Sequence, residues 1–308
     1  MKMVSMFAKI IMKKMEVQKD FIFDMKNVKE FRVEFDKMFS KMKTEKGIAT
    51  EEIQIGNIPA EKYSNSEDSN SRVILYLHGG GYFSGSITSY RKFVSILCKQ
   101  LHLNAYCINY RLAPEDPYPA SLDDAFFAYK WMLEEKSIPA EKVIIIGDSA
   151  GGGLTLALLH RIGIHNLPQP KAAICLSPWT DLTLTSETIK TKAEEDVFFN
   201  LKNLETSVSA YLQSESPKNP EISPIFADFN GFPPIFIQVA TREMLLNDSL
   251  VIAEKMKKQG VSVTVDIWEG MFHAFLIFIA IPVLGKLIPE NRRALKNVQK
   301  FVESLEIV

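Results

Sequence analysis

Three cysteines in 308 residues, Cys98, Cys107 and Cys175, are too few and of the wrong parity for a disulfide framework. Cys107 and Cys175 lie in apolar, strand-like runs, which fits reduced, buried thiols in a cytoplasmic protein. No H-E-x-x-H, no paired C-x-x-C and no G-x-G-x-x-G is present. Gly147 and Gly152 have the spacing of a phosphate loop, but Gly153 stands where its lysine is required. The reading therefore calls for no metal and no cofactor. Neither charge sign is in excess, and a net charge of −1 gives no electrostatic case for nucleic acid. Long apolar runs are missing too. The charge-free stretch from Gly270 to Gly285 contains His273 and Pro282 and falls short of the roughly 20 residues a membrane helix needs, so it is expected against the core, without stable membrane insertion. Near the N-terminus Lys9, Lys13 and Lys14 interrupt the apolar run before it reaches signal-peptide length. Without secretion, Asn247-Asp248-Ser249 reads as a helix start rather than a glycosylation site.

What is present is apolar material, 46% of the chain, enough for one large core. Residues 1–45 read as amphipathic helices: Met3, Phe7, Ile10 and Ile11, then Phe31, Phe35 and Phe39, recur at helical spacing, and eight of the twelve methionines fall here. Methionine adapts to varied shapes, so this segment is expected to cover a core or a greasy pocket. From Ile48 the texture changes to short strands, 51–56, 60–64 and 73–77, with the polar Ser64 to Ser71 run as a turn. Helices at 89–101, 121–135, 150–162, 249–259 and 290–305 then alternate with strands at 104–109, 143–146, 172–176, 235–240 and 262–268. Antiparallel strands followed by βαβ units predict an α/β domain with a mostly parallel sheet and helices on both faces. Residues 177–233 interrupt the alternation with one long helical stretch and several prolines, at a strand's C-terminal end where ligands bind in such sheets. The expected organisation is cap helices over 1–45, a catalytic core over 46–176 and 234–308, and a cap insertion over 177–233.

Two motifs carry the chemistry. The apolar strand Val143 to Ile146 runs into Gly147-Asp148-Ser149-Ala150-Gly151-Gly152, a G-x-S-x-G turn from strand to helix, and His78-Gly79-Gly80-Gly81 follows the strand Val73 to Leu77 about seventy residues upstream. With glycine near 7% of residues and serine taken as similar, G-x-S-x-G arises by accident in about one chain in ten of this length, H-G-G-G in only a few per thousand. Small neighbours let the chain turn sharply enough to hold the serine hydroxyl outward, and the helix start behind it offers free N–H groups.

A serine nucleophile needs a base, and the base an acid that fixes its tautomer. Of the five histidines, His78 belongs to the glycine motif, His160 and His165 fall in or after the helix behind Ser149, and His102 precedes a strand. His273 lies just past the strand ending at Trp268 and is last in chain order, as this architecture requires. The acid should follow the strand Ile235 to Ala240. Glu243 stands in the post-strand turn, whereas Asp248 is suited to cap the helix containing Leu250 to Met256. Glu243 is the favoured acid, with Asp248 the alternative.

These segments, with Tyr110-Arg111-Leu112-Ala113-Pro114-Glu115 and Gly270-Met271-Phe272-His273-Ala274-Phe275, resemble the bacterial hormone-sensitive-lipase family of α/β-hydrolase esterases, from residue 48 or so to the C-terminus. Ser177-Pro178-Trp179-Thr180-Asp181-Leu182 is similar to members that are esterases or ε-lactone hydrolases. The resemblance implies the α/β-hydrolase fold, Ser149 as nucleophile, His273 as base, and oxyanion N–H groups from Gly80, Gly81 and Ala150. The sequence departs from the family at the acid, where Glu243-Met244-Leu245 replaces the usual Asp-Pro-Leu. The implied function is cofactor-independent hydrolysis of short-to-medium acyl esters or lactones through an acyl-serine, with a small-molecule partner. The oligomeric state is left open, a homodimer included. The alternative is a non-catalytic small-ligand binding protein on the same fold.

Overall fold

Runs such as Val73–Leu77 and Val143–Ile146 have no polar face to turn to water, so a sheet made of them needs cover on both sides. The computed structural model supplies it, and describes residues 4–16, 24–66, 72–281 and 284–305. Helices α1 (Met6–Glu16) and α2 (Val28–Phe39) come first, followed by the hairpin β1 (Ile48–Ile55) and β2 (Ile58–Asn65). Next are β3 (Val73–Leu77), α3 (Ile87–Leu101), β4 (Asn104–Ile108), α4 (Ala120–Glu134), β5 (Val143–Asp148), α5 (Ala150–Ile164) and β6 (Ala172–Leu176). The chain then passes through α6 (Glu187–Thr191) and α7 (Leu201–Leu212) before β7 (Ile235–Ala240), α8 (Leu246–Lys258) and β8 (Val263–Trp268), and closes with α9 (Leu284–Leu287) and α10 (Pro289–Ser304).

The strands form one 8-stranded sheet in the order β1-β2-β4-β3-β5-β6-β7-β8. β2 is antiparallel to β1 and β4, and every pairing from β4 to β8 is parallel. From β3 the chain first moves outward to β4 and then returns past β3 to β5. The ends of β3 and β5 therefore flank a switch point, the place where open parallel sheets form a crevice. Leu77 pairs with Gly147 there, which brings the two glycine motifs side by side.

Alternation divides each strand between two cores. Leu75, Leu77 and Ile145 face a cluster completed by α4, α5 and α8 through Tyr129, Leu158 and Ile252. Ile74, Tyr76, Ile144 and Ile146 face the opposite cluster, completed by α3 and α10 through Phe93, Leu97, Val298 and Phe301. The charge-free stretch after β8 enters this second core with Met271, Phe272, Phe275 and Leu276, as the sequence predicts, although Pro282 lies outside the described residues.

Two expectations need correction. Residues 177–233 hold the short helices α6 and α7 and a 3-10 turn at Pro224–Phe226, not one long helix, because prolines and capping residues such as Asn200 divide the segment. The apolar stripe of α1 is also displaced. Ala8, Ile11 and Met12 are buried, while Phe7 and Ile10 are exposed; Met3 lies outside the described residues, as do 67–71 of the expected polar turn.

Close approach of α5 to β3 depends on Gly151: a Cβ added there would lie 2.1 Å from the Leu77 carbonyl oxygen and 2.4 Å from that of His78. Backbone on both sides cannot yield as a side chain would. Gly151→Ala is expected to cost about 1–3 kcal/mol by overpacking, lowering the thermal midpoint by several degrees. An unchanged midpoint in thermal unfolding would contradict this packing.

Candidate active site

Three residues singled out in the sequence lie at the C-terminal ends of strands along one edge of the sheet. Ser149 follows β5, Glu243 follows β7, and His273 follows β8. Ser149 has φ 51° and ψ −121°, a conformation costly for a residue with a Cβ. It is held there by its N–H donating to Leu176 O at 2.8 Å and by its carbonyl accepting from Trp179 N at 3.0 Å. The side chain is thereby presented at the head of α5.

His273 Nδ1 lies 2.8 Å from Glu243 Oε2, and both side chains are buried. A hydrogen bond to a carboxylate places the proton on Nδ1 and leaves Nε2 with its lone pair. Among the described residues Nε2 has no hydrogen-bond partner, so no bond joins it to Ser149. Phe198 and Phe199 rest against the imidazole, with ring centroids 5.4 and 4.5 Å away, and limit water around it. The other oxygen, Glu243 Oε1, accepts from Ala240 N and from Ser177 Oγ, each at 2.7 Å. Ser177 Oγ in turn accepts from Ala274 N at 3.1 Å, which links the acid to the backbone beside the histidine.

Asp248 is elsewhere. Its Oδ2 accepts from the N–H groups of Thr180 and Asp181, both at 2.9 Å, whereas the carboxylate bonded to His273 is that of Glu243. It is not the expected helix cap either. α8 begins two residues earlier, at Leu246, and the Asp248 carboxylate reaches across to the loop after β6. Burial pushes its pKa up to about 8.

The glycine motif approaches the serine through a carboxylate that sequence reading passed over. Asp148 accepts from Tyr76 OH at 2.6 Å, Tyr90 OH at 2.8 Å and Gly79 N at 3.0 Å. Burial raises its pKa to about 6, with those three donors opposing the rise. A single acid at the end of an otherwise apolar strand was the available signal. His78 stacks on Tyr110 with centroids 4.2 Å apart, and burial lowers its pKa to about 4, so it is a neutral spacer in the loop. Gly80 has φ +118°, open to glycine and strained for other residues. Among the described residues, the N–H groups of Gly80, Gly81 and Ala150 donate to no protein acceptor. Asp196, in the acidic run Glu194-Glu195-Asp196, was not singled out in the sequence either. It is buried and accepts from Phe198 N, Phe199 N and Met244 N at 2.7, 3.1 and 2.8 Å, bracing both the aromatic wall and the turn that bears Glu243.

This fold and site have known counterparts. The alpha/beta hydrolase fold family matches residues 74–277. The chain belongs to that family. The esterase branch anticipated from the motifs is borne out by a crystal structure of an esterase from the bacterial hormone-sensitive lipase family, with TM-score 0.89 and 30% identity over 98% of each chain. The structure of EstE5 soaked with p-nitrophenyl butyrate superposes with TM-score 0.91 at 32% identity, covering 99% of this chain and 100% of that one. In sequence, the chain is 34% identical to an acetyl-hydrolase of Streptomyces hygroscopicus over 252 residues, 82% of each protein. It is 32% identical to an esterase of Acinetobacter venetianus, covering 83% of this chain and 82% of that one. This α/β-hydrolase is thus a carboxylesterase-type serine hydrolase with a small-molecule ester substrate, and the reading as a non-catalytic binding protein is not favoured. Among the described residues no helix is long and apolar enough to cross a membrane.

The Asp248 carboxyl keeps its proton at neutral pH in the folded state, whereas in the unfolded chain it ionises near pH 4. The folded state then binds the extra proton between about pH 4 and 8, and this group's contribution to stability falls as pH rises across that window. Asp248→Asn is uncharged throughout. Its thermal midpoint relative to wild type is expected to improve from pH 5 to about pH 8 and to level off above that; a constant difference would rule out a buried neutral carboxyl.

Proposed function

We propose that Ser149, His273 and Glu243 are nucleophile, base and orienting acid, and that Gly80, Gly81 and Ala150 supply the oxyanion N–H groups. The observation that carries the reading is His273, its Nδ1 committed to Glu243 while a buried Nε2 stands without a partner on the rim that Ser149 shares. Nε2 takes the hydroxyl proton as Ser149 Oγ bonds to the acyl carbon. The carbonyl oxygen gains the charge, and the three N–H groups, free of protein acceptors, are suited to hold it. Collapse expels the alkoxide, which takes the proton from His273. Water then attacks the acyl-serine, giving its proton to Nε2, and a second collapse restores Ser149 and releases the carboxylic acid.

The substrates are short-to-medium acyl esters or lactones. Support comes from the acetyl-hydrolase relative and from the neighbour soaked with p-nitrophenyl butyrate. In this reading residues 1–45 and 177–233 form a two-part cap over the core, with the half-buried Phe31, Phe35 and Phe39 stacked along α2 as an adaptable apolar surface. Three buried free thiols, Cys98, Cys107 and Cys175, favour a reducing compartment, the cytoplasm.

Ser149→Ala is expected to reduce ester turnover by several orders of magnitude with the fold intact, and an organophosphonate should add once, at Ser149. An adduct mapped to another serine overturns the assignment. Comparison of the two acids tests the rest of the triad. Glu243→Gln should lower kcat about a thousandfold or more while Asp248→Asn leaves it nearly unchanged. The reverse ranking in steady-state kinetics would make Asp248 the acid.

A further inference from the structure

Helix α2 is attached to the body in an unusual way. Of its 12 residues only Val28 is buried, and a groove of about 420 Å³ runs beside it, lined among others by Lys29, Arg32, Asp36 and Tyr110. So little apolar burial holds a helix weakly. Polar bonds to backbone take its place. Arg32 Nε donates to Phe83 O and Nη2 to Ala113 O, both at 2.6 Å. The same guanidinium spans the Glu115 carboxylate, with Nη1 and Nη2 donating at 3.0 and 2.8 Å. One turn further along, Asp36 Oδ1 accepts from Ser86 Oγ at 2.6 Å, and Ser86 caps α3. The Phe31 ring packs tilted against that of Phe83, centroids 6.0 Å apart.

Both carbonyls held by Arg32 belong to the wiring of the glycine turn. Phe83 N and Ser84 N donate to Gly80 O at 3.1 and 2.9 Å, and Ala113 N donates to Tyr82 O at 2.9 Å. The guanidinium therefore grips residue 83 of the turn directly and residue 82 through its partner at 113. We infer that Arg32 is a positioning residue for the oxyanion donors of Gly80 and Gly81, so that the rate of the chemical step, and not only access to the pocket, depends on α2 being seated. The inference rests on the proposed roles of Ser149 and the glycine N–H groups. The planar five-donor fork makes four bonds at once from three separate nitrogens, two to carbonyls and two to a carboxylate, whereas lysine has three donors on a single nitrogen.

The test uses the full chain, with Arg32→Met and Arg32→Lys, each normalised to sites titrated by an organophosphonate. On p-nitrophenyl acetate, kcat per titrated site should fall about tenfold or more while KM changes by less than about threefold, as expected when transition-state contacts are displaced and ground-state binding is kept. The inhibition constant of a trifluoromethyl ketone, which forms the tetrahedral oxyanion on the serine, should rise by the factor by which kcat/KM falls. If Arg32 only fastens a helix, the thermal midpoint or titratable fraction drops while kcat per site and the ketone constant stay at wild-type values, and the inference is overturned. Should Arg32→Met fail to fold, Arg32→Lys decides by the same two readings. A wild-type protein that takes no phosphonate removes the serine reading and this inference together. A labelled wild type with an unimpaired variant removes the inference alone.

Discussion

Asp148 is a carboxylate with no ion-pair partner among the described residues, buried under the site and surrounded by hydroxyl and amide donors. Its partners come from three elements: Tyr76 from β3, Tyr90 from α3 and Gly79 from the loop between them. Removing a carboxylate from water without a counter-charge is expensive, and the raised pKa records that cost. Three hydrogen bonds of 2.6 to 3.0 Å offset much of it, and because they are directional they also fix distances. The strand that runs into Ser149 is thereby bolted to the loop that faces it. Neither the turn at Ser149 nor the loop at Gly80 can shift without breaking a bond that the buried charge requires.

A second set of bonds does the same work on the far side of the site. Ser177, Asp196 and Glu243 form a chain of acceptors that collects N–H groups from the ends of β7 and of the loop before α7, and from the residue after His273. Each of these segments is a loop, where mobility is the default. Buried acceptors convert them into a frame. The order of the strands makes this economical, since β5, β6, β7 and β8 are consecutive neighbours and their C-terminal ends line one edge.

Much of this was legible from the chain. The continuous apolar runs placed the parallel strands β3 to β7 to within a few residues, because a strand buried on both faces leaves no other pattern. Ser149, His273 and the glycine motif stood out because their residue types are scarce or their spacing improbable, and Glu243 and His273 lie together as position in the chain suggested. Less could be read where a residue's meaning depends on what folds against it. Asp196 sits in an acidic run yet is buried, and nothing in its neighbours announces that. Asp248 looked like a cap because capping is local, and its actual donors lie 68 and 67 residues away in the chain. The stripe on α1 was misplaced for a similar reason. Phe7 and Ile10 belong to the helical period, but the surface below it accepts Ala8, Ile11 and Met12.

The bond from Glu243 Oε1 to the N–H of Ala240 closes a small ring between a side chain and its own strand end. A free glutamate has three torsions to set before it can orient anything. Here one oxygen is anchored three residues back, so the side chain's entropy is spent in folding rather than at each turnover. The extra methylene is what permits that closure with Oε2 still free for the imidazole. An aspartate in the same turn would hold its carboxylate about 1.5 Å nearer the main chain, so the turn would have to shift to keep both bonds. The glutamate is thus matched to its turn as a unit, and the two would have to change together.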